Sequence, residues 1–414
     1  MNWISWLILI FLIAEFLLQL AADRLNLKAI TDVIPNAFSG FYDPDKYRRS
    51  QAYLSTNTRF RLLTSAFNLA LLLTFWFLGG FAAVDDWTRA LGWGPVPTGL
   101  LYIGGLAGLK AVVDQPFSLY ATFVIEQRFG FNKTTLPTWI KDRLKGLLLA
   151  LILGIPLLSG VLMFFHYAGS NAWLWCWGLV TAFMIGVQFI APTWIMPLFN
   201  RFEPLEEGEL KNAIMDYSAS IGFALENIYV MDGSKRSSKS NAFFTGFGRH
   251  RRIVLFDTLI AKHSVDELVA ILAHEMGHYK MRHILKMMTT GILQTGLLLF
   301  LMSLAIDTPA LFEAFYVPQP SIHAGLVFFG LLYTPVDFFL GILVQQMSRA
   351  HEYAADRFAA ETSGRSAAMI AALKKLSVHN LSNLTPHPFY VFLNYSHPPV
   401  LKRIQALADL KPED

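Results

Sequence analysis

The sequence predicts a mainly α-helical, multi-pass membrane protein with seven transmembrane helices and a cytoplasmic α+β domain. Of its 414 residues, 54% are hydrophobic and only 15% are charged, a composition too apolar for a soluble protein of this length. Seven stretches are long and apolar enough to cross a bilayer, which takes about 20 residues in a helix. Two hydrophilic stretches, 198–284 and 347–414, together hold 155 residues, enough for one soluble domain.

The seven candidate spans divide the chain into four parts. The first span lacks the basic leading segment and the cleavage site of a signal peptide, so we interpret it as a retained span. Residues 1–197 form a membrane domain with spans one to five, 198–284 a cytoplasmic insert, 285–346 spans six and seven, and 347–414 a C-terminal cytoplasmic part. The spans are residues 3–21, 61–84, 98–125, 146–168, 172–197, 285–306 and 322–346.

The distribution of lysine and arginine predicts the orientation of the spans, because basic residues concentrate in cytoplasmic connections. The connections 22–60 and 127–145 are rich in both residues. Three other connections are poor in basic residues and together contain only Arg89; they are 85–97, 169–171 and 307–321. We therefore expect the N-terminus outside and the C-terminus in the cytoplasm. A bacterial inner membrane and an ER membrane both fit this orientation, and the bacterial one is favoured.

Composition also limits the sites and partners open to this chain. The single cysteine, Cys176, lies in an apolar run, so neither a disulfide nor a cysteine-based metal site can form within one chain. A bound metal must therefore use histidine and carboxylate ligands. The net charge of +4 is not arranged as a basic stripe with interleaved aromatic residues, so we expect no nucleic-acid partner.

A His-Glu-x-x-His box lies a few residues before span six. The stretch SVDELVAILAHEMGHYKMRH predicts a helix capped by Ser264, with acidic residues in the first turn and basic residues at the far end. Because positions four apart share a helix face, His274 and His278 can bind one ion, and Glu275 can reach a water on it. This is the arrangement of zinc proteases. The alternative is an amphipathic helix with two surface histidines.

A catalytic zinc needs three protein ligands, so a third must lie elsewhere in the chain. The stretch SRAHEYAADRFAAE after span seven offers Glu352, with Asp356 one turn later to accept a hydrogen bond from a ligand histidine. A solvated helix face with charges at this spacing is the alternative. His278 and Glu352 each lie roughly 10 Å from the membrane boundary, so antiparallel packing of spans six and seven brings them to the same height. We expect the metal at the cytoplasmic mouth of the bundle.

The stretch NAFFTGFGRHRRIVLFDTL contains two strand-like pieces around a glycine turn. One of them can offer an edge to which a peptide adds as an extra strand, a mode that reads backbone more than side chains. With the box helix, these strands predict a zincin-like α+β domain.

Lys110 and Asp114 place opposite charges four residues apart inside span three. Charge within the bilayer is costly and normally faces the bundle interior or a water-filled cavity. We expect the pair to hold two helices together; lining of a chamber is the alternative, and both roles can coexist.

Six stretches resemble, in the same order, those of the integral-membrane CAAX prenyl protease type 1 family. From about residue 40 to the end of the chain they are YDPDKYRRSQAYL, FVIEQRFGFNKTT, SNAFFTGFGRHRRIVLFDTLI, HEMGH, SRAHEYAADRFAAE and YSHPPVLKRIQAL. Ordered matches at both ends of the chain are far more specific than the metal box. The related HtpX-like membrane proteases share the box but have fewer spans, so the N-terminal stretches favour the CAAX branch.

The resemblance implies a fold and an activity. The fold is a ring of seven tilted helices around a large water-filled chamber, closed on its cytoplasmic side by one zinc ion per chain. The activity is removal of three C-terminal residues after a prenylated cysteine, by a monomeric enzyme in the lipid bilayer acting on a peptide or protein substrate.

Carried over position by position, the resemblance also implies a set of site residues. The implied zinc ligands are His274, His278 and Glu352. Glu275 is the implied general base that takes a proton from a zinc-activated water. Asp356 is implied to lie just outside the metal ligands and to accept a hydrogen bond from a ligand histidine. Asn241 is the implied contact to substrate backbone, with His397 and Arg403 as supports near the scissile carbonyl.

Two alternatives to this function stay open. The same chemistry can serve quality control of misfolded or stalled membrane proteins, which is the case to expect if the source lacks protein prenylation. A transporter or channel with a structural metal site is the other. Against it, the spans show no detectable inverted repeat, and a structural zinc would not need Glu275 beside its ligand.

Overall fold

The fold is dominated by helices, with one small sheet after the fifth span. The computed structural model describes residues 1–223, 225, 227–245 and 252–410. The α-helices, in chain order, are α1 (Trp3–Lys28), α2 (Pro44–Phe77), α3 (Gly80–Ala90), α4 (Pro95–Tyr120), α5 (Leu136–Tyr167), α6 (Ala172–Ile190), α7 (Met196–Phe199), α8 (Glu209–Ser220), α9 (Asp257–Ile260), α10 (Val265–Lys280), α11 (His283–Ala305), α12 (Pro309–Glu313), α13 (Ile322–Ser363), α14 (Ser366–His379), α15 (Pro388–Asn394) and α16 (Val400–Ala408).

Within these described residues, seven helical segments are long and apolar enough to cross a membrane, which confirms the predicted number. They are α1, α2, α4, α5, α6, α11 and α13; π-helical turns at Ala121–Glu126 and Ala191–Ile195 extend α4 and α6. Most of them run past the predicted bounds, because hydropathy marks where the apolar residues stop and polar turns continue the helix.

The membrane helices form a ring. Each of α4, α5, α6, α11, α13, α1 and α2 packs against the next. Stacked and tilted aromatic contacts between Phe60 and Tyr120 and between Phe67 and Phe117 join α2 back to the α4 segment and close the ring. In every span no more than 17% of the most apolar stretch is buried, which fits helices with one face toward lipid and another toward an open interior.

At two spans the difference from the predicted end changes which residues belong to the same helix. Span two was expected to run to residue 84, but α2 stops at Phe77 because Gly79 adopts a left-handed backbone with φ 73°, and α3 begins as a separate helix. Span seven was expected to end at residue 346. Instead α13 continues unbroken to Ser363, so Glu352 and Asp356 lie on the same helix as the span itself.

The Lys110–Asp114 pair lies along a single helix, α4. The ammonium Nζ is 2.5 and 2.6 Å from the two carboxylate oxygens, and 47% and 44% of the side chains are exposed. Among the described residues the two charged groups bond to each other and not to a second helix, so the expectation that the pair holds two helices together is wrong. The alternative, that the pair lines the chamber, stays a prediction.

A four-stranded sheet packs beside the helix that carries the metal-binding box. The strands are β1 (Phe202–Pro204), β2 (Asn227–Met231), β3 (Ala242–Thr245) and β4 (Arg252–Phe256), in the order β1-β2-β4-β3. The β2–β4 pair is parallel and the other two are antiparallel. The two predicted strand pieces are β3 and β4, and β3 lies at an edge as expected. The predicted glycine turn, within 246–251, lies outside the described residues.

The start of α10 is fixed by a reciprocal cap. Ser264 Oγ accepts a hydrogen bond from the Glu267 backbone N–H, and the Glu267 carboxylate accepts one from the Ser264 backbone N–H. The Glu267 carboxylate also lies 2.8 Å from Lys375 Nζ on α14. The predicted helix start at Ser264 is confirmed, and the cap ties the box helix to its neighbour.

Ser264→Ala is expected to destabilise the protein by about 1 kcal/mol, because it leaves a first-turn N–H of α10 without its acceptor. A thermal unfolding scan in detergent should show a midpoint lower by about 2 °C. Ser264→Asn, which restores a capping oxygen, should stay near the wild-type midpoint. An unchanged midpoint in the alanine variant would show that this cap contributes nothing to stability.

Candidate metal centre

Helices α10 and α13 bring three potential metal ligands together. His274 and His278 on α10 and Glu352 on α13 each offer a ligand atom, and these atoms lie within 4.8 Å of one another. The two Nε2 atoms are 3.1 Å apart. Glu352 Oε1 is 3.2 Å from His278 Nε2, and Glu352 Oε2 is 3.5 Å from His274 Nε2.

These separations fit a tetrahedral zinc site. Nitrogen and oxygen ligands lie about 2.0–2.1 Å from zinc, so two of them in a tetrahedron lie about 3.3 Å apart. The observed separations, 3.1 Å between the two nitrogens and 3.2 and 3.5 Å from them to the two different oxygens of the Glu352 carboxylate, bracket that value. Two imidazoles and one carboxylate are also the donor set of a known class of catalytic zinc site.

Close packing of α10 on α13 sets this geometry. Gly277, inside the His-Glu-x-x-His box, faces α13: a Cβ at this position would lie 3.0 Å from Phe358 and 3.4 Å from the Cα of Ala355. Ala355 and Ala359 on the facing side are fully buried. Small residues therefore let the two backbones approach closely enough for ligands from both helices to meet.

Asp356 and Arg403 lie behind the candidate ligands. Asp356 Oδ1 is 2.8 Å from His274 Nδ1. The Arg403 guanidinium donates to both Asp356 oxygens at 2.6 and 2.7 Å and lies 3.2 Å from Glu352 Oε2. One arginine, whose side chain is only 11% exposed, thus contacts both carboxylates of α13, and its implied role near the scissile carbonyl stays a prediction.

The electrostatics of the centre favour positive charge. Burial lowers the pKa of His274, but the carboxylates of Asp356 and Glu352 outweigh it and raise the pKa to about 9. A site that stabilises a proton on a buried imidazole in this way also stabilises a metal cation. For the carboxyl group of Glu275, burial has the opposite effect and raises the pKa above that of an ordinary glutamate. The raised pKa makes the carboxylate a stronger proton acceptor.

The centre opens on a cavity of about 400 Å³. Glu275 lines it together with all three candidate ligands, and so do Ala242, the first residue of the edge strand β3, and Asn241 directly before it. The remaining lining residues are Leu259, Ile271, Met369, Ala372, Leu373, Leu376, His397 and Arg403. Most of these are apolar, so one wall of the cavity suits aliphatic side chains.

The other residues implied by the resemblance also lie at this cavity. The His397 side chain is 63% exposed, and its Nε2 lies 3.4 Å from Glu352 Oε1. The Asn241 side chain is exposed, and its Oδ1 accepts a hydrogen bond from the backbone N–H of Ala242. Every predicted site residue except Asp356 lines the cavity, and Asp356 lies directly behind His274.

The sequence prediction missed two histidines next to the centre. His283 Nδ1 lies 3.0 Å from His278 Nδ1, and the His283 ring stacks on His351 with centroids 3.9 Å apart. Both were visible beside motif residues, His283 five positions after His278 and His351 directly before Glu352. Their contact depends on the turn at Arg282, whose φ is 57°, and no residue pattern predicts that turn.

Comparison with known proteins gives the family. Residues 23–201 match the family model described as CAAX prenyl protease N-terminal, five membrane helices, and residues 204–411 match peptidase family M48. The chain is 34% identical to the CAAX prenyl protease 1 homolog of Oryza sativa subsp. japonica, over 97% of this chain and 96% of that protein. It is 33% identical to CAAX prenyl protease 1 of Saccharomyces cerevisiae, over 98% and 95%.

The fold matches a solved structure as well. The crystal structure of S. mikatae Ste24p superposes with a TM-score of 0.91 at 33% identity, covering 98% of this chain and 99% of that chain. This confirms the predicted fold class, and membership of a peptidase family argues against the transporter alternative. The chain therefore belongs to the CAAX prenyl protease family of M48 peptidases and is a membrane-embedded zinc metallopeptidase.

Proposed function

We propose that this protein cleaves C-terminal CAAX tails, releasing the last three residues after a prenylated cysteine. The observation that carries this proposal is a His-His-Glu centre that opens on a cavity bordered by an edge strand and an apolar wall. The names of relatives that align with nearly the whole chain support the substrate class.

The proposed zinc ligands are His274, His278 and Glu352. When bound, zinc supplies a Lewis acid that polarises the scissile carbonyl and lowers the pKa of a water. Glu275, next to the first ligand in sequence, accepts the proton of the attacking water and passes it to the leaving amine. Its raised pKa suits both steps, since the same carboxyl group must accept a proton and then donate it.

The cavity supports a mode of substrate binding. The tail adds to the free edge of β3, and Asn241 contacts its backbone. The apolar wall formed by Met369, Leu373 and Leu376 receives the aliphatic side chains after the cysteine. His397 is exposed and lies near Glu352. It donates a hydrogen bond to the oxyanion that develops on the scissile carbonyl.

The proposed orientation places the metal centre in the cytoplasm and the N-terminus outside. In support, residues from the connections poor in lysine and arginine lie together at a second cavity, of about 460 Å³, lined among others by Arg89, Asp307 and Ser321. Impermeant thiol labelling in a Cys176→Ala background tests this. Ser170→Cys should react from outside, and Ser234→Cys only after the membrane is opened; the reverse pattern would invert the orientation.

Asp356→Asn is expected to weaken zinc binding by about 10- to 100-fold, because the neutral amide no longer stabilises the orientation and charge of the His274 imidazole. Competition with a fluorescent chelator measures the affinity. Asp266→Asn, at the exposed start of α10, is the matched control and should bind zinc as the wild type does. Wild-type affinity in Asp356→Asn would contradict a supporting role for this carboxylate.

The substrate proposal is tested with a farnesylated CAAX peptide and its unprenylated twin. Mass spectrometry should detect the released tripeptide, formed at a clearly higher rate from the farnesylated peptide. Equal rates would contradict recognition of the lipid and favour the quality-control alternative. Absence of cleavage of both peptides by zinc-loaded protein would contradict CAAX processing altogether.

A further inference from the structure

His283, the first residue of α11, contacts the proposed ligand His278 from the side opposite the metal. The two Nδ1 atoms are hydrogen-bonded at 3.0 Å. His283 is only 4% exposed, so this contact is shielded from water. The left-handed backbone of Arg282 turns the chain between α10 and α11 and brings the His283 ring back against the box helix.

The chemistry of a ligand histidine gives this hydrogen bond a direction. A neutral imidazole carries one proton, and a ring that binds metal through Nε2 must carry it on Nδ1. His278 Nδ1–H therefore donates, and His283 Nδ1 accepts. His283 in turn holds its own proton on Nε2, so the contact fixes the tautomers of both rings.

Each of the two proposed ligand histidines then has a polar group facing its second ring nitrogen. His274 Nδ1 faces the carboxylate of Asp356 at 2.8 Å, and His278 Nδ1 faces the imidazole of His283 at 3.0 Å. Metal-binding histidines generally donate their second ring N–H to a carboxylate, a carbonyl or a water. At His278 a second imidazole takes that place.

His351 fixes the plane of the accepting ring. The rings of His283 and His351 are 3.9 Å apart at centroids and only 8° from parallel. His351 directly precedes Glu352 on α13, so neighbouring residues of one helix supply a proposed ligand and the stacking ring. The stack thus packs the start of α11 against α13 next to the centre.

We propose that His283, through the acceptor nitrogen of its ring, is a positioning residue for the zinc ligand His278, so that the first residue of membrane helix α11 becomes part of the metal centre. The proposal rests on the proposed ligand set. It goes beyond that set because it links zinc binding to the turn between α10 and α11, which places the acceptor beside His278.

The test uses two variants of His283 in the full-length, detergent-solubilised protein. His283→Phe keeps a flat ring for the stack on His351 but removes the acceptor. His283→Asn loses the stack but retains an acceptor oxygen near the position of Nδ1. The readout is zinc loss to excess chelator, followed by metal analysis, which does not depend on activity. His166→Phe, an exposed histidine that lines the second cavity, is the control.

We expect His283→Phe to bind zinc about 10- to 100-fold more weakly, with His283→Asn and the control close to wild type. Wild-type zinc retention in His283→Phe would overturn the proposal. Equal loss in the two variants would also overturn it, because the acceptor would then not be what matters. If His283→Phe does not fold, zinc loss from a folded His283→Asn overturns the proposal, and zinc retention there supports it.

Failure of the ligand set itself gives a different result. If His274→Ala retains zinc as the wild type does, the proposed metal centre is wrong whatever the His283 variants show. If His274→Ala loses zinc and His283→Phe does not, the centre stands and only the positioning role fails.

Discussion

Glu275→Gln is expected to abolish peptide cleavage while zinc stays bound. Glutamine has nearly the same shape, and residue 275 is not in the proposed ligand set, so the metal centre should be unaffected. The amide cannot accept the proton of the attacking water, and the loss of general-base catalysis should lower the rate by roughly 10²- to 10⁴-fold.

Initial rates with a farnesylated peptide and zinc content of the same sample test this prediction together. Glu361→Gln removes an exposed carboxylate from the far end of α13 and is the matched control, expected to keep wild-type activity. Cleavage at the wild-type rate by Glu275→Gln would rule out the mechanism. Loss of zinc from that variant would mean that Glu275 also helps to hold the metal.

Glu352→Ala is expected to lose both zinc and activity. Removing one of three protein ligands should weaken zinc binding by more than about 100-fold, since changes to groups behind the ligands already cost 10- to 100-fold. The variant should still fold, because the bidentate pair between Arg403 and Asp356 keeps α16 joined to α13. Zinc analysis and size-exclusion chromatography separate loss of metal from loss of structure.

The control for this variant is Glu361→Ala, which truncates an exposed glutamate on the same helix. It should retain one zinc per chain and full activity. A stoichiometric zinc content in Glu352→Ala would show that the third ligand is another residue, with His397 the nearest alternative at 3.4 Å from the Glu352 carboxylate.

The membrane spans could be predicted because a bilayer imposes one simple requirement, about 20 apolar residues in a helix. Their ends could not be predicted as well. At Gly79 and Arg282, single left-handed residues break the helix, and hydropathy does not report backbone conformation. At the end of span seven the helix continues as a polar one to Ser363, and hydropathy marks only the end of its apolar part.

In the candidate metal centre, too, some residues could be predicted from the sequence and others could not. Helical spacing alone brings His274, Glu275 and His278 to one side of α10, so the sequence predicts them. Glu352 lies on another helix and was predicted from its distance to the membrane and from the family resemblance. The contact of His283 with His278 requires the turn between α10 and α11 and the packing of α11 on α13, which are tertiary features.

The central claim is that one zinc ion is bound by two histidines of α10 and one glutamate of α13. X-ray absorption at the zinc K edge of the purified protein tests it directly. We predict one zinc per chain with four nitrogen or oxygen ligands at about 2.0–2.1 Å, two of them imidazoles, and loss of the zinc in His278→Ala. A protein without stoichiometric zinc, a sulfur ligand, or wild-type zinc content in His278→Ala would contradict the claim.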